Sequence, residues 1–240
     1  MSVDSGFRRS LTALLSASVA LIVVSPIVAM AASPVVSPTD AASLTGKTYS
    51  EWSAVWWQYV FAVPVQSNPN VDLTGKHCQV NETANVFFLN GAPTTEPVTR
   101  TCTVSSTQPL FVPLINTECS NVESAPFFGA TDADRKACAA AIIDGVGIST
   151  LTATIDGTTL GSQDLSAFRF ASPAFNFQMP AQNNYLSLPG VTSGRSASDG
   201  YWLMLKPLAR GSHLLHFEAA FVSGPGAGFS QDITYQLSAR

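Results

Sequence analysis

From residue 85 onward, apolar and polar positions alternate with a period near two, in short runs divided by turn residues. The runs "NVFFLNG" (85–91), "TCTVSS" (101–106), "PLFVPLIN" (109–116), "STLTATIDGTTL" (149–160), "FRFASPAFNFQM" (168–179), "YWLMLKPL" (201–208), "HLLHFEAAF" (213–221) and "DITYQLS" (232–238) read as strands. Asp156-Gly157, between two threonine-rich runs, marks a two-residue hairpin, and Ala209-Arg210-Gly211-Ser212 marks a slightly longer one. Two segments follow a helical period instead. In "YSEWSAVWWQYVFAVP" (49–64), Thr48 and Glu51 have capping-box spacing, and Pro64 stops a helix near residue 62. At about 100° per residue, Trp52, Val55, Trp56, Tyr59, Val60 and Val63 share one face, with Trp57 and Phe61 off it. A helix this apolar around its circumference belongs in a core, ahead of a ligand surface or a membrane contact. Thr131 opens a second helix over 132–144. Short strands, few helices and no βαβ order predict a mainly β fold. The expected form is an antiparallel β-sandwich with an aromatic N-terminal helix lying on one face and one short internal helix.

The segments before and between these elements have a different character. Arg8 and Arg9 precede an apolar run over 11–24, and Ala29-Met30-Ala31 has the small-x-small pattern of a cleavage site. A signal peptide over 1–31, cut after Ala31, is expected, with the secretory route as the default and Arg8-Arg9-Ser10-Leu11 an incomplete twin-arginine pattern. The Ser/Pro/Ala-rich stretch 32–47 reads as a flexible leader, and 48–240 as a single domain. The polar stretch 181–200 is long for a compact domain, which makes it a binding loop or a disordered one.

Composition narrows the partners. The chain is 46% apolar and only 12% charged, enough for a sizeable core. Removing 1–31 takes away Arg8, Arg9 and Asp4 and leaves ten basic against fifteen acidic side chains, a balance that argues against nucleic acid or an anionic membrane as partner. No second apolar run is long enough to span a bilayer. The protein is expected outside the cytoplasm, secreted or periplasmic. Cys78, Cys102, Cys119 and Cys138 all lie in the exported part, where thiols pair. Three connectivities are possible. Cys78–Cys102 with Cys119–Cys138 is favoured because each closes a short loop, worth about 3 kcal/mol in the chain-entropy account. No CxxC spacing suggests a metal instead. Asn81-Glu82-Thr83 matches a glycosylation acceptor, read as chance in a bacterial type of export.

Taken together, YSEWSAVWWQ, NPNVDLTGKHC, FFLNG, RTCTV, FVPLIN, SPAFNF, DGYWLMLKPLARGSHLLHF and DITYQLS resemble an uncharacterised family of exported bacterial proteins. The resemblance covers nearly the whole chain after the leader and implies secretion and one shared domain. It implies no activity, cofactor or catalytic residue.

Chemistry has few carriers. His213 and His216 are three apart on a strand and point to opposite faces, whereas His216 and Glu218 share one. The latter two make a metal corner that lacks a third protein ligand unless Glu118 or Asp199 supplies it, so neither a metal nor another cofactor is expected. There is no G-x-S-x-G elbow, and paired cysteines leave no thiol nucleophile. Glu118 and Asp199 are the candidate carboxylate pair for a hydrolase, with His213 or His216 as further candidates. The Gly-rich "SGPGAGFS" (223–230) opens no helix and reads as a loop. The leading expectation is a non-catalytic exported domain that binds a glycan, peptide or small ligand through strand-end loops and exposed aromatics, Tyr185, Tyr201 and Trp202. The alternatives are an extracytoplasmic hydrolase and a structural or assembly role.

Overall fold

The computed structural model describes residues 1–2, 33–80, 85–160 and 165–240. The signal segment from residue 3 on, with its cut after Ala31, and the Asn81-Glu82-Thr83 sequon fall outside these residues. The chain divides into two compact units, 1–32 and 33–240, and the second carries all the structure that follows.

Three helices and nine strands make up this unit among the described residues: α1 (Ala41–Thr45), α2 (Tyr49–Ala62), β1 (Phe87–Phe88), β2 (Val98–Val104), β3 (Leu110–Ser120), α3 (Asp132–Ile143), β4 (Thr152–Ile155), β5 (Thr158–Thr159), β6 (Phe175–Gln178), β7 (Ser193–Leu205), β8 (Gly211–Ala220) and β9 (Ser230–Ala239). They form a four-stranded sheet, β1-β3-β7-β6, and a five-stranded sheet, β2-β9-β8-β4-β5. Alternation sends Leu110, Val112, Leu203 and Leu205 of the first sheet and Leu215, Phe217, Ile233 and Tyr235 of the second into one shared core. At Asp156-Gly157 the φ angles of 50° and 76° give the left-handed pair that a tight β4–β5 turn requires.

The expected all-antiparallel pairing is corrected at two places. β1 runs parallel to β3, and β2 runs parallel to β9. Consecutive strands β2 and β3 do not form a hairpin, because the chain crosses from one sheet to the other between them. The 181–200 loop is also shorter than its composition suggests, since β7 begins at Ser193 and its first half pairs with β6 and the end of β3. Residues 168–174, read as strand, instead include the end of a 3₁₀ turn over Leu165–Phe168.

The leader is a third correction. Val35 bridges to Leu205, and the Val36 amide donates to the Met204 carbonyl at 2.8 Å, so this stretch lies along the end of β7. Tyr49 locks it there: its hydroxyl donates to the Val36 carbonyl at 2.8 Å and accepts from the Met204 amide at 2.9 Å. The polar composition of 32–47 concealed two valines with somewhere to pack.

Helix α2 starts at its capping box, with the Glu51 carboxylate accepting from the Thr48 amide at 2.8 Å and the Thr48 hydroxyl accepting from the Glu51 amide at 3.2 Å. It lies on the face of the first sheet opposite the shared core, in a second apolar cluster with Phe88, Phe111, Phe175, Phe177, Trp202 and Met204. Trp56 is 1% exposed, sits edge-on to Trp202, and Trp202 stacks on Phe111 at 5.2 Å. Trp57 and Phe61, off the main stripe, are buried as well, because the 181–192 loop covers that side and Phe61 reaches Phe177 at 4.3 Å. Helix α3 has its own capping box at Thr131 and Asp134, and Cys119–Cys138 ties it to β3. Cys78–Cys102 ties the segment before β1 to β2. No helix among the described residues is long and apolar enough to cross a membrane.

Candidate functional site

Where α2 meets the ends of both sheets, the structure forms a partly open cavity of about 190 Å³. Trp56 and Trp57 of α2 form one wall and Tyr185 of the 181–192 loop another, while Asn70, Asn116 and Gln231 add amide groups. Phe229 and the Gly91–Pro93 turn after β1 complete the lining, and no charged side chain takes part. Larger depressions, of about 510 and 610 Å³, lie over mostly exposed residues around His213 and around Leu44.

Each wall has a local cause. Asn68 caps the C-terminal end of α2 by donating to the carbonyls of Val60 and Val63, at 2.7 and 3.1 Å, and its Oδ1 accepts from the Asn70 amide at 3.0 Å. Asn70 in turn donates to the Tyr185 hydroxyl at 2.7 Å. The loop carrying Tyr185 is held by Asn184, which is 1% exposed: it donates to the Leu188 carbonyl at 2.7 Å and accepts from the Leu188 amide at 2.9 Å. Burial pushes the Tyr185 phenol up to about 12, outweighing the Asn70 bond, so it stays a neutral polar group. Two glycines let the walls close in. A Cβ on Gly91 would lie 2.2 Å from Gln231 Oε1, and one on Gly200 of β7 would lie 2.4 Å from the Cβ of Asn116 across on β3.

Two polar atoms of the lining residues have no hydrogen-bond partner among the described residues: Trp57 Nε1 and Gln231 Oε1. Their residues are 6% and 7% exposed. A buried polar group left without a partner costs about 1–3 kcal/mol. The residues around the cavity therefore carry one unpartnered donor and one unpartnered acceptor, besides further amides and aromatic faces.

The sequence-derived candidates separate. Tyr185 lines this cavity. Tyr201 and Trp202, expected as exposed aromatics, are 4% and 0% exposed. They point to opposite sides of β7, Tyr201 into the shared core and Trp202 under α2. Glu118 and Asp199 do not form a pair: the register sets Glu118 opposite Ser198 and Asp199 opposite Thr117, so alternation turns the two carboxylates to opposite faces of one sheet. Asp199 is fully engaged, accepting from Arg169 Nη2 at 2.8 Å and from the Gly200 amide at 2.7 Å, and Arg169 continues to Asp144 and the Ala140 carbonyl at the end of α3. Glu118 is buried against the Ser196 hydroxyl, and burial, with the neighbouring Glu123, raises its pKa well above the ordinary carboxylate value.

The histidines point apart, as their spacing requires. His213 Nδ1 lies 2.6 Å from Asp156 in the β4–β5 turn and its Nε2 lies 2.8 Å from the Ala209 carbonyl. Partial burial opposes the imidazolium there, but the Asp156 bond and charge and the Ala209 carbonyl outweigh it and hold the pKa above its usual value. His216 and Glu218 share the outer face of β8. The third ligand-type group beside them is neither Glu118 nor Asp199 but Asp232 of β9.

Comparison of the chain with models of known protein families, with curated proteins and with solved structures finds no match.

Sequence reasoning did not single out Trp57, Asn70, Asn116 or Gln231 for the cavity. Asn90-Gly91, a turn dipeptide directly after a strand, is the one local signal of a close approach at this place.

Proposed function

We propose that the protein binds a small uncharged ligand, the end of a glycan or a molecule of similar polarity, in the cavity beside Trp57, and that it does so outside the cytoplasm as a non-catalytic sandwich-type domain. The observation that carries the reading is the pair of unpartnered atoms, Trp57 Nε1 and Gln231 Oε1, on residues that line an aromatic, charge-free cavity. Aromatic faces take the apolar side of a sugar ring, and buried amides take its hydroxyls. At about 190 Å³ the space is below the range of drug-sized pockets, roughly 300–1,000 Å³, and suits one ring. The absence of charge in the lining disfavours phosphates and free carboxylates. Two disulfides and the expected signal segment support an extracytoplasmic setting.

The test is calorimetric titration of the oxidised protein with neutral monosaccharides, disaccharides and short blocked peptides, repeated on Trp57→Phe. That substitution keeps the aromatic wall and removes the donor. Saturable binding of a sugar that weakens by about tenfold in the variant, the worth of one buried hydrogen bond, is the expected result. Binding to no member of the panel, or affinity untouched by Trp57→Phe, would overturn the reading.

A further inference from the structure

On the side of the five-stranded sheet that faces away from the shared core, three metal-ligating side chains converge. His216 and Glu218 are two apart on β8 and so share a face, and the antiparallel register sets Asp232 of β9 directly opposite Glu218. His216 Nε2 lies 2.9 Å from Asp232 Oδ1 and 3.7 Å from Glu218 Oε1, and one donor atom from each of the three lies within 4.8 Å of the other two. β8 is an inner strand, hydrogen-bonded to β4 on one side and β9 on the other, so the backbone positions are fixed before any ligand arrives. Thr152 of β4, paired with Glu218, places its hydroxyl 3.4 Å from the second Glu218 oxygen and helps orient it. Among the described residues neither carboxylate has a lysine or arginine partner; the ion pairs of both are with His216. Two like charges are thus held together with only an imidazole between them, an arrangement a cation relieves.

We propose that His216, Glu218 and Asp232 form a surface site for a divalent transition cation of the zinc type, with one nitrogen and two oxygen ligands from the protein and water in the remaining position. Metal–ligand bonds of about 2.0–2.2 Å set tetrahedral ligands roughly 3.4 Å apart. The His216–Glu218 distance is already close to that, and the shorter His216–Asp232 distance is that of a hydrogen bond, which widens when the metal takes the imidazole lone pair. An imidazole among the ligands favours zinc, nickel or copper over calcium and magnesium, which prefer all-oxygen sets of six or more. The open side of the trio leaves room for water. The site is separate from the Trp57 cavity, and it stands whether or not that cavity binds a ligand.

The experiment is titration of the full oxidised chain with zinc chloride, followed by calorimetry and by the ¹⁵N shifts of the histidine rings, with magnesium chloride as the control. Expected are one zinc per chain, a shift at His216 Nε2 alone among the three histidines, and no response to magnesium. His216→Gln and, separately, Asp232→Asn each weaken binding by about tenfold or more. Both substitutions are on a half-exposed face, and thermal melts establish that the variants fold. Zinc that does not bind saturably, or that binds equally well to His216→Gln through His77 or His213, overturns the assignment.

Discussion

The most direct probe of the aromatic layer is Trp56→Ala. Trp56 is 1% exposed, its Nε1 donates to the Leu89 carbonyl at 2.9 Å, and its ring lies 5.1 Å from Trp57 and 5.4 Å from Trp202, both edge-on. Three losses coincide in the variant. Removing a buried tryptophan side chain costs about 3–5 kcal/mol when the site cannot collapse, and collapse here is resisted by the first sheet beneath α2 and by the 181–192 loop that packs on Trp57 through Tyr185. The two edge-on ring contacts are part of that figure, each worth about 0.5–1.5 kcal/mol. The Leu89 carbonyl then loses its donor inside an apolar layer, which sets the expectation toward the upper end of the range. In a domain of this size, such a loss lowers the melting temperature by about 6–20 °C. Urea unfolding of the oxidised protein, followed by far-ultraviolet circular dichroism so that loss of a tryptophan does not alter the signal, measures it. Trp56→Phe separates the terms: it keeps most of the buried area, loses the hydrogen bond, and is expected near 1–2 kcal/mol. A loss below about 1 kcal/mol for the alanine variant would show that α2 does not form part of the core, and the packing that shapes the Trp57 cavity would fall with it.

Two other perturbations address the rest of the frame. Glu118 has a folded pKa raised above its unfolded value, so the stability it contributes is present in full below the ordinary glutamate pKa and is lost as pH rises through the raised one. Each unit of that shift is worth about 1.4 kcal/mol, and Glu118→Gln, which mimics the protonated side chain, is expected to be more stable than the parent at pH 8 and not at pH 4; equal pH slopes for the two proteins would refute the burial assigned to this carboxyl. Replacing Cys119 and Cys138 together by serine opens a loop with a sequence separation of 19 and is expected to cost about 2–4 kcal/mol, with α3 amides exchanging faster than those of β8 and β9 in hydrogen-exchange measurements; uniform loss of protection across the unit would refute a local anchoring role.

Element identity was legible wherever the local pattern was strong. The capping box at Thr48, the helix cap at Thr131, the Asp156-Gly157 turn and the alternation of β8 and β9 are all short-range signals, and each appears at its place in the structure. The two cysteine pairs were legible for a similar reason, since each joins neighbours in the chain. Pairing was not. β2 and β3 follow each other with a turn between them, as a hairpin would, yet β2 lies beside β9 from the other end of the chain. No periodicity within either strand records a partner more than a hundred residues away. The leader failed for a different reason: its average composition is that of a tether, but two residues, Val35 and Val36, and the Tyr49 hydroxyl that holds them decide where it goes.

The same distinction explains which functional groups sequence could nominate. The His216–Glu218 pair was visible because it obeys the period of a single strand; Asp232 was not, because only the β8–β9 register brings it across. The cavity is the extreme case. Its lining comes from α2, the turn after β1, β3, the 181–192 loop and the start of β9, so that residues from 56 to 231 meet within a space of about 190 Å³. None of its amides belongs to a motif. What marks them as more than filling is a three-dimensional property: among the described residues, Trp57 Nε1 and Gln231 Oε1 lack a partner on residues that line the cavity, whereas Trp52 donates to Thr45, Trp56 to Leu89, and Asn68 and Asn184 each to two or more carbonyls, and Trp202 Nε1, also unpartnered, belongs to a residue outside the lining. A donor and an acceptor left over on two residues that line one cavity mark the place where, on the proposed reading, a bound molecule would supply the partners that the fold does not.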